Sequence, residues 1–227
     1  MSAALDICER LSPNRGARRE AARPDLLVIH YTAMESAEAA IERLSDPAAE
    51  VSAHYVICER GGVTRLVPEA ERAWHAGAGR WGDVCDVNSR SIGIELANLG
   101  SHPFPEPQMR SLEALMAGIM ARWEIGPARV IGHSDMAPGR KSDPGPRFDW
   151  ARLARAGLSV WPSAGTAGDF YADAARFGYP VGDVEEALVL EAFRLRFRPW
   201  ATGPLAAADA ALMADLAGRW PVLSGPA

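Results

Sequence analysis

Two hydrophobic periods alternate along the first two thirds of the chain, and the switches between them outline a fold. LLVIHYT (26–32) is an apolar, β-branched run, the pattern of a buried strand that ends at His30. In SAEAAIERLSD (36–46) the spacing changes to Ala40, Ile41 and Leu44 behind a capping Ser36, which predicts a helix. SAHYVICE and VTRLVPE flank Gly61-Gly62, a hairpin signal. SIGIELAN (91–98) returns to period two, with Ile92, Ile94 and Leu96 on one face and Gly93, Glu95 and Ala97 on the other. A helical pattern from about Glu106 to Glu124 leads into ARVIGH, a short strand that ends at His133. Strands interleaved with helices, some paired by hairpins, predict an α/β domain with a mixed central β-sheet flanked by helices.

The pattern changes at WPSAGTAGD (161–169), where Trp161 is the only bulky residue among small and turn-forming ones. Such a composition reads as a linker. Beyond it, DFYADAARFG, DVEEALVLEAFRLRFRP and LAAADAALMADLAG all have helical spacing, with Asp, Gly or Pro as start and stop signals. The expected organisation is a first domain over 1–161, a linker over 162–168 and a small all-α three-helix bundle over 169–227. At 227 residues the chain has room for one ordinary domain and a small second one. Three short helices could barely bury a core alone.

Composition narrows the function classes. With 48% hydrophobic and 23% charged residues the chain reads as a soluble globular protein. A net charge of -5 without a dense basic cluster argues against a nucleic-acid partner. No apolar run approaches the roughly 20 residues that cross a bilayer. The N-terminus lacks a basic region followed by a continuous apolar stretch, so a cytoplasmic location is expected, with the periplasm or cell wall as the alternative. Cys8, Cys58 and Cys85 are far apart and read as reduced thiols.

GRKSDPGPRFDW (139–150) is the stretch that asks for a chemical explanation. Two glycines and two prolines within 139–146 exclude a helix or central strand, yet Lys141 and Asp143 sit on this stiffened backbone. A turn explains Asp and Gly but not the lysine. His30 and His133 both end predicted strands, where sheet enzymes place functional groups. Two imidazoles and the Asp143 carboxylate make a three-ligand zinc set that leaves a fourth position for water. Glu95 shares its strand face with Gly93 and Ala97, so a half-buried carboxyl with a raised pKa is expected, suited to carrying a proton. AWHAG places Trp74 and His75 between small residues, as an aromatic wall with a hydrogen-bond donor would require.

VIHYTA, VSAHYVI followed by GGV, AWHAG, NSRSIGIELAN and IGHSDMAPGRKSDPGPRFDW, in this order, resemble the zinc-dependent N-acetylmuramoyl-L-alanine amidases of the AmpD/AmiD type (amidase type 2). The resemblance covers roughly residues 24 to 157. It implies zinc ligation by His30, His133 and Asp143, a catalytic carboxylate at Glu95, and oxyanion support from Lys141. Trp74, His75 and Asn88 would contact the substrate, peptidoglycan or a muropeptide. Related phage lysozymes and animal recognition proteins usually have tyrosine at the position of Ala53 and cysteine at that of Asp143, so the likeness is to the bacterial branch. The tail is similar to a three-helix peptidoglycan-binding domain, through its FGY and AFRLRFRP elements. A non-catalytic recognition module would normally lack a ligand or the base; a metallopeptidase acting on the stem peptide is the other rival class.

Overall fold

The computed structural model describes residues 5–163 and 165–222. The outer ends of the two expected domains, 1–4 and 223–227, and position 164 of the expected linker lie outside the described residues. The first half contributes β1 (Ile7–Glu9), β2 (Arg15–Ala17), β3 (Leu26–Tyr31), α1 (Ala37–Ser45), β4 (Tyr55–Ile57), β5 (Val63–Arg65) and β6 (Glu71–Ala73). It is followed by α2 (Val87–Arg90), β7 (Ser91–Leu96), α3 (Glu106–Trp123), β8 (Val130–Gly132), α4 (His133–Met136) and α5 (Trp150–Arg155). The tail adds α6 (Phe170–Phe177), α7 (Glu186–Phe197) and α8 (Ala207–Arg219).

Six strands form one mixed sheet in the order β1-β5-β4-β7-β3-β8, and β2 pairs with β6 in a small second sheet. β4 and β5 are antiparallel across the Gly61-Gly62 turn, as the glycines predict, while β3 runs parallel to both β7 and β8. The helix predicted over 36–46 starts where expected, with Ser36 Oγ accepting from the Ala39 amide at 3.2 Å. ARVIGH differs by one residue: its strand stops at Gly132, and His133 opens α4.

Strand alternation splits the sheet into two faces with different cover. Leu27, Ile29, Ile92, Ile94 and Val130 pack against Leu112, Met116 and Ile119 of α3 and Trp150 and Leu153 of α5. On the other face Leu26, Val28 and Ile131 share one core with Phe170, Phe177, Val189, Phe193, Phe197, Met213 and Leu216 of the tail. Segment 162–168 has no helix or strand among its described residues, but the bundle beyond it is packed onto the sheet. Trp81, fully buried, is the hinge of this packing, with Phe177 and Tyr179 edge-on to it at 5.4 and 5.2 Å. Gly178 lets the tail come this close: its φ is +131°, and a Cβ there would lie 2.6 Å from the Trp81 ring.

A buried polar network completes the junction. Asp135 of α4 accepts from Tyr179 Oη at 2.7 Å, from Arg196 Nη1 of α7 at 2.7 Å, and from the Gly132 amide at 2.8 Å. Arg196 also donates to Val130 O and Ser159 Oγ, and its guanidinium lies 4.2 Å over the Trp150 ring. Both charges are sealed from water, at 1% and 0% side-chain exposure, and each is hydrogen-bonded, the condition under which a buried pair is tolerable. Tail and sheet are thus joined two residues from His133. Among the described residues no helix is long and apolar enough to cross a membrane.

Candidate active site

The predicted site residues gather at the carboxyl ends of the parallel strands β3, β7 and β8, where open sheets present functional groups. His30 is the register partner of Glu95 across β3 and β7, so the two side chains leave the same face of the sheet. His133 follows β8 directly. Asp143 is carried in by the loop after α4, whose backbone is tied down by Lys141 N to Ala137 O at 3.0 Å and Ser134 N to Asp143 O at 2.9 Å. The stiffness expected of GRKSDPGP has this physical form.

His30, His133 and Asp143 are all buried, and their potential ligand atoms lie within 4.8 Å of one another. Asp143 Oδ2 stands 2.8 Å from His30 Nδ1 and 3.1 Å from His133 Nδ1. His133 Nε2 lies 2.9 Å from Ala76 O, a carbonyl that can only accept, so Nε2 carries the ring proton. In the neutral ring the lone pair of Nδ1 then points at a carboxylate oxygen. Two nitrogens and one oxygen gathered within 4.8 Å of one another fit a divalent cation such as zinc. Burial, and then the neighbouring His133, lower the His30 pKa to about 4, which keeps that imidazole neutral and able to ligate.

Glu95 is the unsatisfied group beside this set. Its Oε2 is buried with no hydrogen-bond partner among the described residues. Burial, reinforced by the Asp143 carboxylate and opposed by Lys141, pushes its pKa up to about 8. The space that Gly93 leaves beside it is filled by the His75 ring; a Cβ at Gly93 would lie 2.5 Å from His75 Cγ. A cavity of about 380 Å³ connects the groups, with His30, Trp74, Glu95, Arg140, Lys141 and Asp143 on its wall. A larger groove, about 830 Å³, runs past Arg23, Asp25 and Arg90, but its charges pair with one another and with Glu124.

Three placements differ from the sequence reading or add to it. Asn88 does not reach the cavity; it is buried, and its Oδ1 accepts from the His75 and Ala76 amides at 3.0 and 2.9 Å. His75 touches the cavity, but both ring nitrogens are engaged by protein, His30 Nε2 at 3.0 Å and Ser91 Oγ at 3.1 Å. Arg140, next to Lys141, brings a second cation to the wall and donates to Ala76 O at 2.7 Å. The GRK triplet was a signal for it, since two adjacent cations on one stiff loop are as unusual as one.

The Glu95 shift has a testable sign in metal-free protein. An unfolded glutamate titrates near about 4.3. With a folded value of about 8, the native state holds the extra proton between these limits, and stability is lost as pH rises through that window. Urea midpoints of chelator-stripped wild type should therefore fall between pH 5 and pH 8.5 more steeply than those of Glu95→Gln. Parallel pH dependences would show that Glu95 titrates normally.

Similarity to known proteins agrees with this geometry. The family model described as N-acetylmuramoyl-L-alanine amidase matches residues 20–146. The chain is 36% identical to N-acetylmuramoyl-L-alanine amidase AmiD of Escherichia coli over 225 residues, 84% of this chain and 80% of that protein. It is 35% identical to 1,6-anhydro-N-acetylmuramyl-L-alanine amidase AmpD of Enterobacter cloacae, across 63% of this chain and 85% of AmpD. The structure of Escherichia coli AmiD in complex with anhydro-N-acetylmuramic acid-L-Ala-D-gamma-Glu-L-Lys superposes with a TM-score of 0.80 at 33% identity, covering 91% of this chain and 93% of that one. The matched segment contains His30, Glu95, His133, Lys141 and Asp143 and ends three residues after the last of them, and on this ground the chain belongs to the N-acetylmuramoyl-L-alanine amidase family.

Proposed function

We propose that the protein binds zinc through His30, His133 and Asp143 and hydrolyses the amide between the lactyl group of N-acetylmuramic or 1,6-anhydro-N-acetylmuramic acid and the L-alanine of the stem peptide, in turnover or recycling of the cell wall. One observation carries this reading: a buried nitrogen, nitrogen, oxygen donor set opens onto the same cavity as a buried carboxyl oxygen with no partner. Bound zinc would polarise the scissile carbonyl and lower the pKa of a water towards about 7.

The protein's own groups do the rest. Asp143 and the two imidazoles sit on strand ends and on a loop tied down by backbone hydrogen bonds, so the site is organised before substrate arrives. Glu95 Oε2 takes the proton of the attacking water and returns it to the departing alanine nitrogen. Its environment suits both halves of that task, because a carboxyl poised near neutral pH can accept and release a proton with little driving force lost either way. Lys141 lies on the cavity wall as a cation for the oxyanion that develops on the carbonyl oxygen. Trp74 offers an apolar wall to the sugar or the peptide. A module that only recognises peptidoglycan has no use for a buried carboxyl raised to about 8.

The test is metal content measured together with rate. Wild type should hold one zinc per chain, lose activity on chelation and regain it when zinc is returned. His133→Ala should lose zinc and turnover together. If that variant keeps stoichiometric zinc and full turnover, the proposed ligand set is wrong.

A further inference from the structure

We infer that His75 is a positioning residue: it holds the His30 imidazole in the one tautomer whose Nδ1 is free to take a metal ion. This rests on the metal reading given above.

Each step follows from which atoms can donate. Ser91 Oγ lies 2.5 Å from Val87 O, which has no proton, so the serine hydroxyl donates there. With its hydrogen committed, Ser91 Oγ can only accept from the ring nitrogen 3.1 Å away, and His75 therefore carries its proton on Nε2. Neutral His75 then has a lone pair on Nδ1, and that atom faces His30 Nε2 at 3.0 Å. His30 must supply the proton of this contact from Nε2. Its Nδ1 is left unprotonated, 2.8 Å from Asp143 Oδ2. A chain of four groups thus starts at a backbone carbonyl of α2 and ends at a ligand atom.

The surroundings leave His75 no other arrangement. Its ring lies over Gly93, where any Cβ would overlap it, and Asn88 Oδ1 accepts from its backbone amide. The next residue does the same service for the second histidine, since Ala76 O accepts from His133 Nε2. One short loop, Trp74 to Ala76, therefore sets the tautomer of both imidazoles, by a side chain for His30 and by a carbonyl for His133. Outer partners of this kind typically change metal affinity by about 10- to 100-fold when removed. The motif AWHAG, whose histidine reads from sequence as a substrate contact, has a different use here.

The experiment measures zinc affinity by competition with a chromophoric chelator, on purified full-length protein. His75→Phe keeps a flat ring over Gly93 but offers no acceptor, and should bind zinc about 10- to 100-fold more weakly than wild type. His75→Asn places an amide oxygen near the position of Nδ1 and should recover most of that loss, which a merely space-filling role would not produce. Should His75→Phe fail to fold, Ser91→Ala serves instead: it frees His75 to move its proton to Nδ1 and should weaken zinc about 10-fold, the lower end of the same range. Long-range 1H–15N spectra of the zinc-loaded wild type should show His30 protonated on Nε2. A folded His75→Phe or Ser91→Ala protein with wild-type zinc affinity, or His30 protonated on Nδ1, overturns the inference. A wild-type protein that takes up no zinc overturns the metal reading and this inference together.

Discussion

A protein ending at residue 161 should not fold. The truncation strips the tail from a core in which Leu26, Val28 and Ile131 of the sheet, and Trp81 of the loop between β6 and α2, are now fully buried. At about 1.5 to 3 kcal/mol for each large apolar side chain returned to water, full exposure of these four would cost about 6 to 12 kcal/mol. That is comparable with the whole stability of an ordinary domain, about 5 to 15 kcal/mol. The cut also removes Tyr179 and Arg196, the partners that Asp135 has from the tail, and with them the brace behind α4 and His133. A milder version keeps the tail: Arg196→Leu leaves Asp135 buried without its cation and should cost about 3 to 5 kcal/mol. Urea unfolding followed by near-UV circular dichroism measures both. A truncated protein that is soluble, unfolds cooperatively and matches the wild-type midpoint would mean that the tail is a detachable module after all.

The linker composition at 161–169 suggests a separate unit, and composition cannot tell whether such a unit stands free or packs on its neighbour, for a physical reason. Periodicity shows that a helix has an apolar face and says nothing of what covers it. Phe170, Ala174 and Phe177 form a stripe that would look the same inside an independent bundle as it does against Trp81. The central strands were legible because each is buried on a face that spans several residues, as in LLVIHY and SIGIEL. β1 and β2 were not, because three-residue edge strands with exposed or half-exposed side chains carry no period.

The site divides in the same way. His30, His133, Asp143 and Lys141 could be found because each stands at a strand end or on a loop too stiff for a plain turn. Glu95 could be found from its small neighbours, although the room beside it belongs to an imidazole. The roles of Asn88 and His75 depend on partners brought in from α2, β3 and β7, and no local pattern encodes them. Arg140 is masked in the sequence by Lys141 beside it, whose charge alone explains the loop.

Replacing Glu95 by glutamine should separate the chemistry from the metal site. Glutamine keeps the length of the side chain and a hydrogen-bonding end, but it cannot take a proton from water. It leaves the proposed donor set of His30, His133 and Asp143 intact. Zinc should stay bound at one per chain, and the stripped variant should lose the pH-dependent stability assigned to this carboxyl. Turnover should fall by about 10² to 10⁴, the usual worth of a positioned general base. This contrasts with His133→Ala, where metal and rate disappear together.

The most direct measurement is a single-turnover assay of zinc-loaded wild type and Glu95→Gln on an anhydromuramyl tripeptide, with products identified by mass and zinc counted in the same samples. Wild type should release the intact peptide with a free alanine amine and the sugar with a free lactyl carboxylate. Glu95→Gln should give the same products at least about 10²-fold more slowly with its zinc in place. Cleavage within the stem peptide, or wild-type release of the sugar by zinc-replete Glu95→Gln, would contradict the account.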